Sequence, residues 1–456
     1  MTTANQSIFL ATINALPDDV LVDIFYFYAN NWQIELRTGW HTLVHVCQRW
    51  RYVVFASPRR LNLRLVYTGK RPTSEMLDIW PALPVVIRPT TYSSSICENI
   101  TTFLDSGHRH RICEIDLPRI PTSHWDIFAA ATQKPFPELT SLDIGVKGNT
   151  AVSLPDSFSA PLLRHLSLHN YSFPGVPKLL LSANHLIVLS LWNIPDSEYI
   201  SSQALGTALS VMSRLETLRV QFRSFQYPAS RYPPPLTCSL LPSLTNLMFD
   251  GVHEYLEDLL AQIEAPLLNH LKITFFMDVN FVVPQLHQLT SYAESFKKCH
   301  TASVYAYDDA IEFGLFREAF YSPDLSMKIK CRELDRQLSS LAQVCNSSLS
   351  LLSTLGQLRI TDCSSPWESN RETTQWLDFL DPFTSVTDLI LDYGVVAEVC
   401  RALEEHAEER VTGVLPALQR IFLSGFQPSE SDPEFIEGFV AARKLSGHPV
   451  ALYPWR

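Results

Sequence analysis

No two of the nine cysteines lie closer than 14 positions apart, the nearest pair being Cys331 and Cys345. A C-x-x-C pair is missing, so neither a zinc site nor a disulfide framework is indicated. Free thiols packed as small hydrophobes are the simplest reading. Glycine, 15 of 456 residues, stands at about half its ordinary share. No G-x-G-x-x-G, Walker A, H-E-x-x-H or G-x-S-x-G motif occurs, which removes the common phosphate cradles, the zinc-protease helix and the serine nucleophile elbow. With 36 Lys and Arg against 47 Asp and Glu, the net charge is −11. Basic residues are scattered, leaving no footprint for nucleic acid or for an anionic membrane. The longest apolar stretch, Leu179 to Ile194, is interrupted by Ser182, Asn184, His185 and Asn193, each of which would be stranded in hydrocarbon. The run Ile8 to Leu16 has no positive flank and ends on Asp18 and Asp19, which makes it a poor leader peptide. The chain is therefore expected in the cytoplasm, the nucleus or both, with no cofactor, no metal and no catalysis.

The apolar share, 46%, is ample for folding, and 456 residues exceed one ordinary core. Two or more domains, or an elongated array, are expected. Two polar clusters read as solvated surface. His108 and His110 would need alternate strand positions and a third ligand to hold a metal, and Glu404, Glu405, Glu408 and Glu409 with Arg410 form a charged helix face.

The N-terminal stretch predicts helices. Pro17 suits the start of a helix, and Asp18 and Asp19 then meet the positive end of its dipole. Val20, Ile24 and Tyr28, with Leu21 and Phe25 beside them, form one wide apolar face. After the polar stretch Asn30 to Gly39, a second helical segment runs through Trp40, Leu43, Val44, Val46, Cys47, Trp50, Val53 and Val54. It ends at Ser57-Pro58, because the residue before proline is pushed out of the helical region.

These residues form recognisable words. Leu16-Pro17-Asp18-Asp19-Val20-Leu21 followed by Ile24-Phe25, then Val46-Cys47-Gln48-Arg49-Trp50, resembles an F-box over residues 12–62. The segment between Tyr28 and Trp40 is several residues longer than is usual in that family. The resemblance implies docking onto the Skp-type adaptor of a cullin–RING ubiquitin ligase. The matching contact positions are Leu16, Pro17, Leu21, Ile24 and Phe25 in the first half and Val46, Cys47 and Trp50 in the second. Trp50 reads more readily as an internal core residue than as a contact.

The remainder repeats. Leucine makes up 62 of 456 residues. The pattern Leu-x-x-Leu-x-Leu recurs at Ile112/Ile115/Leu117, Leu139/Leu142/Ile144, Leu163/Leu166/Leu168, Leu186/Leu189/Leu191, Leu215/Leu218/Val220, Leu244/Leu247/Phe249 and Leu268/Leu271/Ile273. After a gap it returns at Leu355/Leu358/Ile360, Val386/Leu389/Leu391 and Leu418/Ile421/Leu423. The middle positions step by 23 to 32 residues except across the gap of 87. Strand-like pieces at Ser303–Tyr307 and Ser326–Lys330 would fill that gap with two further, degenerate repeats. The pattern resembles a leucine-rich repeat protein: a short strand with one face inward, a return, and stacking on the next unit. An F-box followed by degenerate leucine-rich repeats is similar to the large F-box families of mushroom-forming fungi.

The resemblance implies an α/β chain. Residues 1–11 form a flexible N-terminus, 12–62 the helical F-box, and 63–107 a connecting segment with a first irregular repeat. Residues 108–430 form a curved leucine-rich-repeat solenoid with a parallel strand face, and 431–456 a capping helix and strand. It implies a monomeric substrate receptor, holding the adaptor, and through it a cullin and a RING protein, by the F-box and a target protein by the repeats. Strand neighbours of the inner leucines point to the other face. There His169, Trp192, Arg219, Met248 and Lys272 form a candidate target patch of interface-prone types, or a row of ordinary exposed strand residues. The alternative function is a repeat scaffold whose helical N-terminus only caps the array.

Overall fold

In the computed structural model of the chain the described residues are 13–30, 39–72, 82–173, 178–195, 199–223, 238–276, 283–318, 322–331, 334–363, 373–405, 413–424 and 434–455. The expected flexible N-terminus (1–11) lies outside them, as do most of the polar stretch after Asn30 and the Glu408–Arg410 portion of the acidic helix face. The architecture is mixed α/β with a mostly parallel sheet. The chain divides into two compact units, Met1–Thr150 with Leu154–Leu163, and Ala151–Ser153 with Arg164–Arg456.

The first unit begins with three helices, α1 (Asp18–Asn30), α2 (Gly39–Val44) and α3 (Gln48–Ala56). Pro17 stands just before α1, and its carbonyl accepts the Leu21 N–H at 3.1 Å. Asp18 and Asp19 occupy the first turn. The single helical segment expected from Trp40 to Val54 is two helices. Cys47 is extended, and its thiol accepts the Trp50 N–H at 3.5 Å. A side-chain cap at that point restarts the helix, which a periodicity argument cannot see. The α3 helix ends at Ala56, before Ser57-Pro58, as the proline requires.

Four parallel strands follow in chain order: β1 (Leu65–Tyr67), β2 (Val85–Ile87), β3 (Ile112–Ile120) and β4 (Ser141–Val146). Ile115 sits opposite Leu142 and Leu117 opposite Ile144. The register slips beyond Leu117, where Pro118 has no N–H to give the ladder. Between the strands lie α4 (Ser94–Asp105), capped by the Ser93 hydroxyl, and α5 (Trp125–Ala131). Arg109 is buried. Its guanidinium donates to the carbonyls of Leu104, Ala131 (2.8 Å) and Lys134 (2.9 Å) and lies over the Phe136 ring. It satisfies the loose carbonyls at the ends of two helices. The flanking His108 and His110 are exposed, and the described residues contain no group of side chains able to hold a metal ion.

Among its described residues the second unit carries twelve strands of the large sheet. The first five in space are β5 (His165–His169), β6 (Val188–Ile194), β7 (Thr217–Phe222), β9 (Asn246–Gly251) and β11 (His270–Phe275), all parallel. Two short segments, β8 (Ser239–Leu240) and β10 (Ile263–Glu264), pair separately. Leu166, Leu189, Leu218, Leu247 and Leu271 stand in one row across the strands, and Leu168, Leu191, Val220, Phe249 and Ile273 in the next. All are buried. Short helices cover this face in chain order: α6 (Lys178–Ser182), α7 (Ser202–Leu209), α8 (His253–Leu260) and α9 (Pro284–Tyr292).

The gap between 274 and 355 does not hold two ordinary repeats in sequence. The chain makes an antiparallel meander of β12 (Thr301–Tyr307), β13 (Ala310–Phe316) and β14 (Leu325–Lys330). The last of these, β14, pairs with β11, and the first, β12, pairs with the next parallel strand, β15 (Gln357–Asp362). Spatial order is thus reversed, and β13 runs against its neighbours. Both expected strand pieces exist, but spacing alone cannot reveal that an additional strand, Ala310–Phe316, lies between them. The apolar rows continue without a break: Leu271, Leu325, Leu315, Ala302, Leu358, then Ile273, Met327, Phe313, Val304, Ile360. Because alternate residues face one way in either strand direction, an antiparallel strand fits the same core. The helix layer keeps chain order, with α9 against α10 (Leu334–Ser348) and α10 against α11 (Thr373–Leu380).

Beyond β15 the parallel run resumes with β16 (Asp388–Asp392) and β17 (Arg420–Ser424), covered by α12 (Tyr393–Glu405). Then come α13 (Glu434–Leu445) and β18 (Ala451–Trp455), at the positions expected for a closing helix and strand. The Ala451 N–H donates to Gln419, so Leu452 and Pro454 turn their backbone groups outward. Pro454 has no N–H to offer there, which blunts this edge against pairing. No helix of the described residues is long and apolar enough to cross a membrane.

Candidate functional site

Two surfaces carry the residues singled out from sequence. The first is the three-helix block. α1 packs on α2 and α3. Leu21 and Phe25 are fully buried, and Phe25 meets Trp50 with ring centroids 4.7 Å apart. The wide apolar face read from sequence is therefore split. Leu21, Val22 and Phe25 turn inward, whereas Val20, Ile24 and Phe27, at helical spacing, stay 39%, 40% and 65% exposed. Val46, in the turn before α3, is 58% exposed. Of the eight positions expected from sequence to contact an adaptor, Pro17, Ile24 and Val46 are open, and Leu16, Cys47 and Trp50 are half-buried. Leu21 and Phe25 lie in the core beneath them. Phe27 and Tyr52, 70% exposed, were missed. Reading the helix at 3.6 residues per turn from Ile24 would have found Phe27.

Polar contacts hold the block's geometry. Arg49 donates to Asp18 at 2.6 Å and to the Leu16 carbonyl at 2.5 Å, pinning the start of α1 to α3. The Trp40 indole N–H donates to the Arg64 carbonyl at 3.0 Å. His41 rests against the Trp40 ring. Burial, with the neighbouring His45 imidazole, lowers its pKa from 6.5 to about 4. The folded form therefore refuses a proton that the unfolded chain accepts below pH 6.5. The stabilisation is complete above pH 6.5, declines as pH falls toward 4, and levels off below that. Urea unfolding at pH 7.5 and 4.5 should show a larger acid loss for wild type than for His41→Gln. Equal losses would remove His41 from the account.

The second surface is the strand face opposite the leucine rows of the second unit. His169 and Trp192 stack at the same register, centroids 6.1 Å apart and nearly parallel. Arg219, Met248 and Lys272 follow in one row on β7, β9 and β11, and the Arg219 Nε–H points at the Met248 sulfur, 3.2 Å away. These three line a depression of about 510 Å³. Its far wall is supplied by the meander, Glu312 on β13 and Ser326 on β14, and its rim by Ser322 and Pro323. His169 and Trp192 are not among its lining residues. Glu312 could not have been assigned to this site from sequence, because only the reversed strand order brings it into the same depression as Lys272.

All nine cysteines are free. Burial raises the Cys299 and Cys400 thiols to about 12, so neither supplies a thiolate near neutrality. No protein-family model matches the chain, and no curated protein matches it.

Proposed function

We propose that this protein is the substrate-recognition subunit of a Skp–cullin–F-box type ubiquitin ligase, with no catalytic chemistry of its own. The observation that carries the reading is the exposed apolar strip Val20, Ile24 and Phe27 on α1, with Val46 also exposed in the turn before α3, set on a small helical block whose sequence resembles an F-box. Apolar side chains held open on a rigid helix suit a groove on a partner. In this reading Pro17, Ile24 and Val46 touch the adaptor directly. Leu21, Phe25 and Trp50 hold the helix that presents them. Residues 108–430 are the leucine-rich-repeat body, and the open strand face of the second unit binds the target protein. The scaffold alternative has α1 serving only as a cap. The open strip favours the ligase reading, since a cap would bury it.

The test is co-purification of the full chain with a Skp-type adaptor. Pro17→Ala with Ile24→Ala should weaken the complex by tenfold or more, as interface anchors worth about 2 kcal/mol do, while circular dichroism stays that of wild type. A folded wild-type chain that fails to bind the adaptor would leave the scaffold reading in place.

A further inference from the structure

We propose that the depression at the meander junction of the second unit receives an acidic segment of a protein partner, with a carboxylate held between Arg219 and Lys272. This rests on the reading that the open strand face holds a target. It is independent of the ligase role.

The chain as a whole carries −11, yet this depression is locally positive. The cations Arg219 and Lys272 line it against one carboxylate, that of Glu312. Glu312 is already engaged, accepting the Ser326 hydroxyl at 3.0 Å and standing opposite Lys328 in the antiparallel register. The neighbouring acids are engaged too. Asp250 accepts from Gln221 at 2.9 Å. Asp324 pairs with Arg317 and has the His270 ring 3.9 Å away. The cations are less committed. Among the described residues Lys272 makes no hydrogen bond or ion pair, and Arg219 spends only its Nε–H, on a weak sulfur acceptor. A guanidinium keeps four further N–H donors for an oxygen ligand, and its planar fork matches a carboxylate. Arg359 lies on the same row as Lys272, four strands further on, about 19 Å at the usual strand spacing. A segment with acids about six residues apart in extended form reaches both.

The test is selection of random displayed dodecapeptides on the immobilised full chain. The expected result is enrichment of peptides with Asp or Glu at a fixed position. Binding of a synthetic representative should fall at least tenfold with Lys272→Glu, and should return to Lys272→Glu when the peptide's acid is changed to Lys. Raising salt from about 0.05 to about 0.3 M should weaken it several-fold, because exposed charge pairs are screened. Lys272 is exposed, so the variant should keep the wild-type melting temperature and its adaptor co-purification. Thus loss of peptide binding alone reports on the depression, and loss of adaptor binding alone reports on the helical block. Enrichment without acidic residues, no enrichment, or peptide binding indifferent to Lys272→Glu each overturns the proposal.

Discussion

Phe25→Ala should melt the three-helix block. Removing a buried phenylalanine costs about 3–5 kcal/mol in transfer and cavity terms, and the pair with Trp50, 4.7 Å between centroids, adds about 1 kcal/mol. Domains of this size have only a few kcal/mol of margin. The block also has few internal anchors: Leu21, Phe25, Trp40, Leu43, Val53 and Val54 make up most of its buried apolar set. Limited proteolysis should cut within α1 and α3 of the variant and spare those helices in wild type, while the far-ultraviolet signal of the strands persists. The proposed adaptor binding should vanish with it, although Phe25 lies beneath the surface. Ile24→Ala, at an exposed position, should change stability by no more than about 0.5 kcal/mol. The two neighbours thus separate folding from contact. A protease-resistant Phe25→Ala chain would show that the block draws its stability from elsewhere.

Phe249→Ala should strongly destabilise the second unit. Phe249 is fully buried in the centre of the leucine rows. Its ring stacks on Tyr255 at 6.0 Å and meets Phe222 edge-on at 6.1 Å, and Phe222 in turn meets Tyr255 at 4.7 Å. The Tyr255 hydroxyl is held by the Ile200 carbonyl at 3.1 Å, so this cluster cannot easily collapse into the hole. The expected cost is about 3–5 kcal/mol, read as a lower denaturant midpoint. Phe249→Leu should cost clearly less. Since each strand contacts only its neighbours, hydrogen exchange should accelerate in β7, β9 and β11 before β16 and β17. Uniform acceleration across all twelve strands would show that the unit opens as one.

Much of the site was legible in the residue pattern. The inward positions of the repeats are inward in the structure, from Ile115 and Leu142 to Leu389 and Ile421, because period-two alternation with leucine on one face has only one way to bury itself. The same pattern placed Arg219, Met248 and Lys272 together on the opposite face. The start of α1 and the stop of α3 followed from Pro17 and Pro58, whose rings restrict the backbone locally.

Chain order along a sequence, by contrast, does not specify neighbours in space when strand direction can reverse at no cost to the buried face. Ala310–Phe316 carries the same alternation as a parallel strand, so nothing in its residues announces that it runs backward or that β14 returns to β11. That decision rests on contacts between segments far apart in sequence, and it alone sets Ser326 against Lys272 and brings Glu312 into the same depression. The same holds for α1. Local periodicity named one wide apolar face, and only the packing of α2 and α3 settled that Leu21 and Phe25 are core while Val20, Ile24 and Phe27 stay open. Sequence determined which side chains are apolar and at what period. Tertiary packing decided which of them meet each other and which stay exposed, because burial depends on what the rest of the chain places against them.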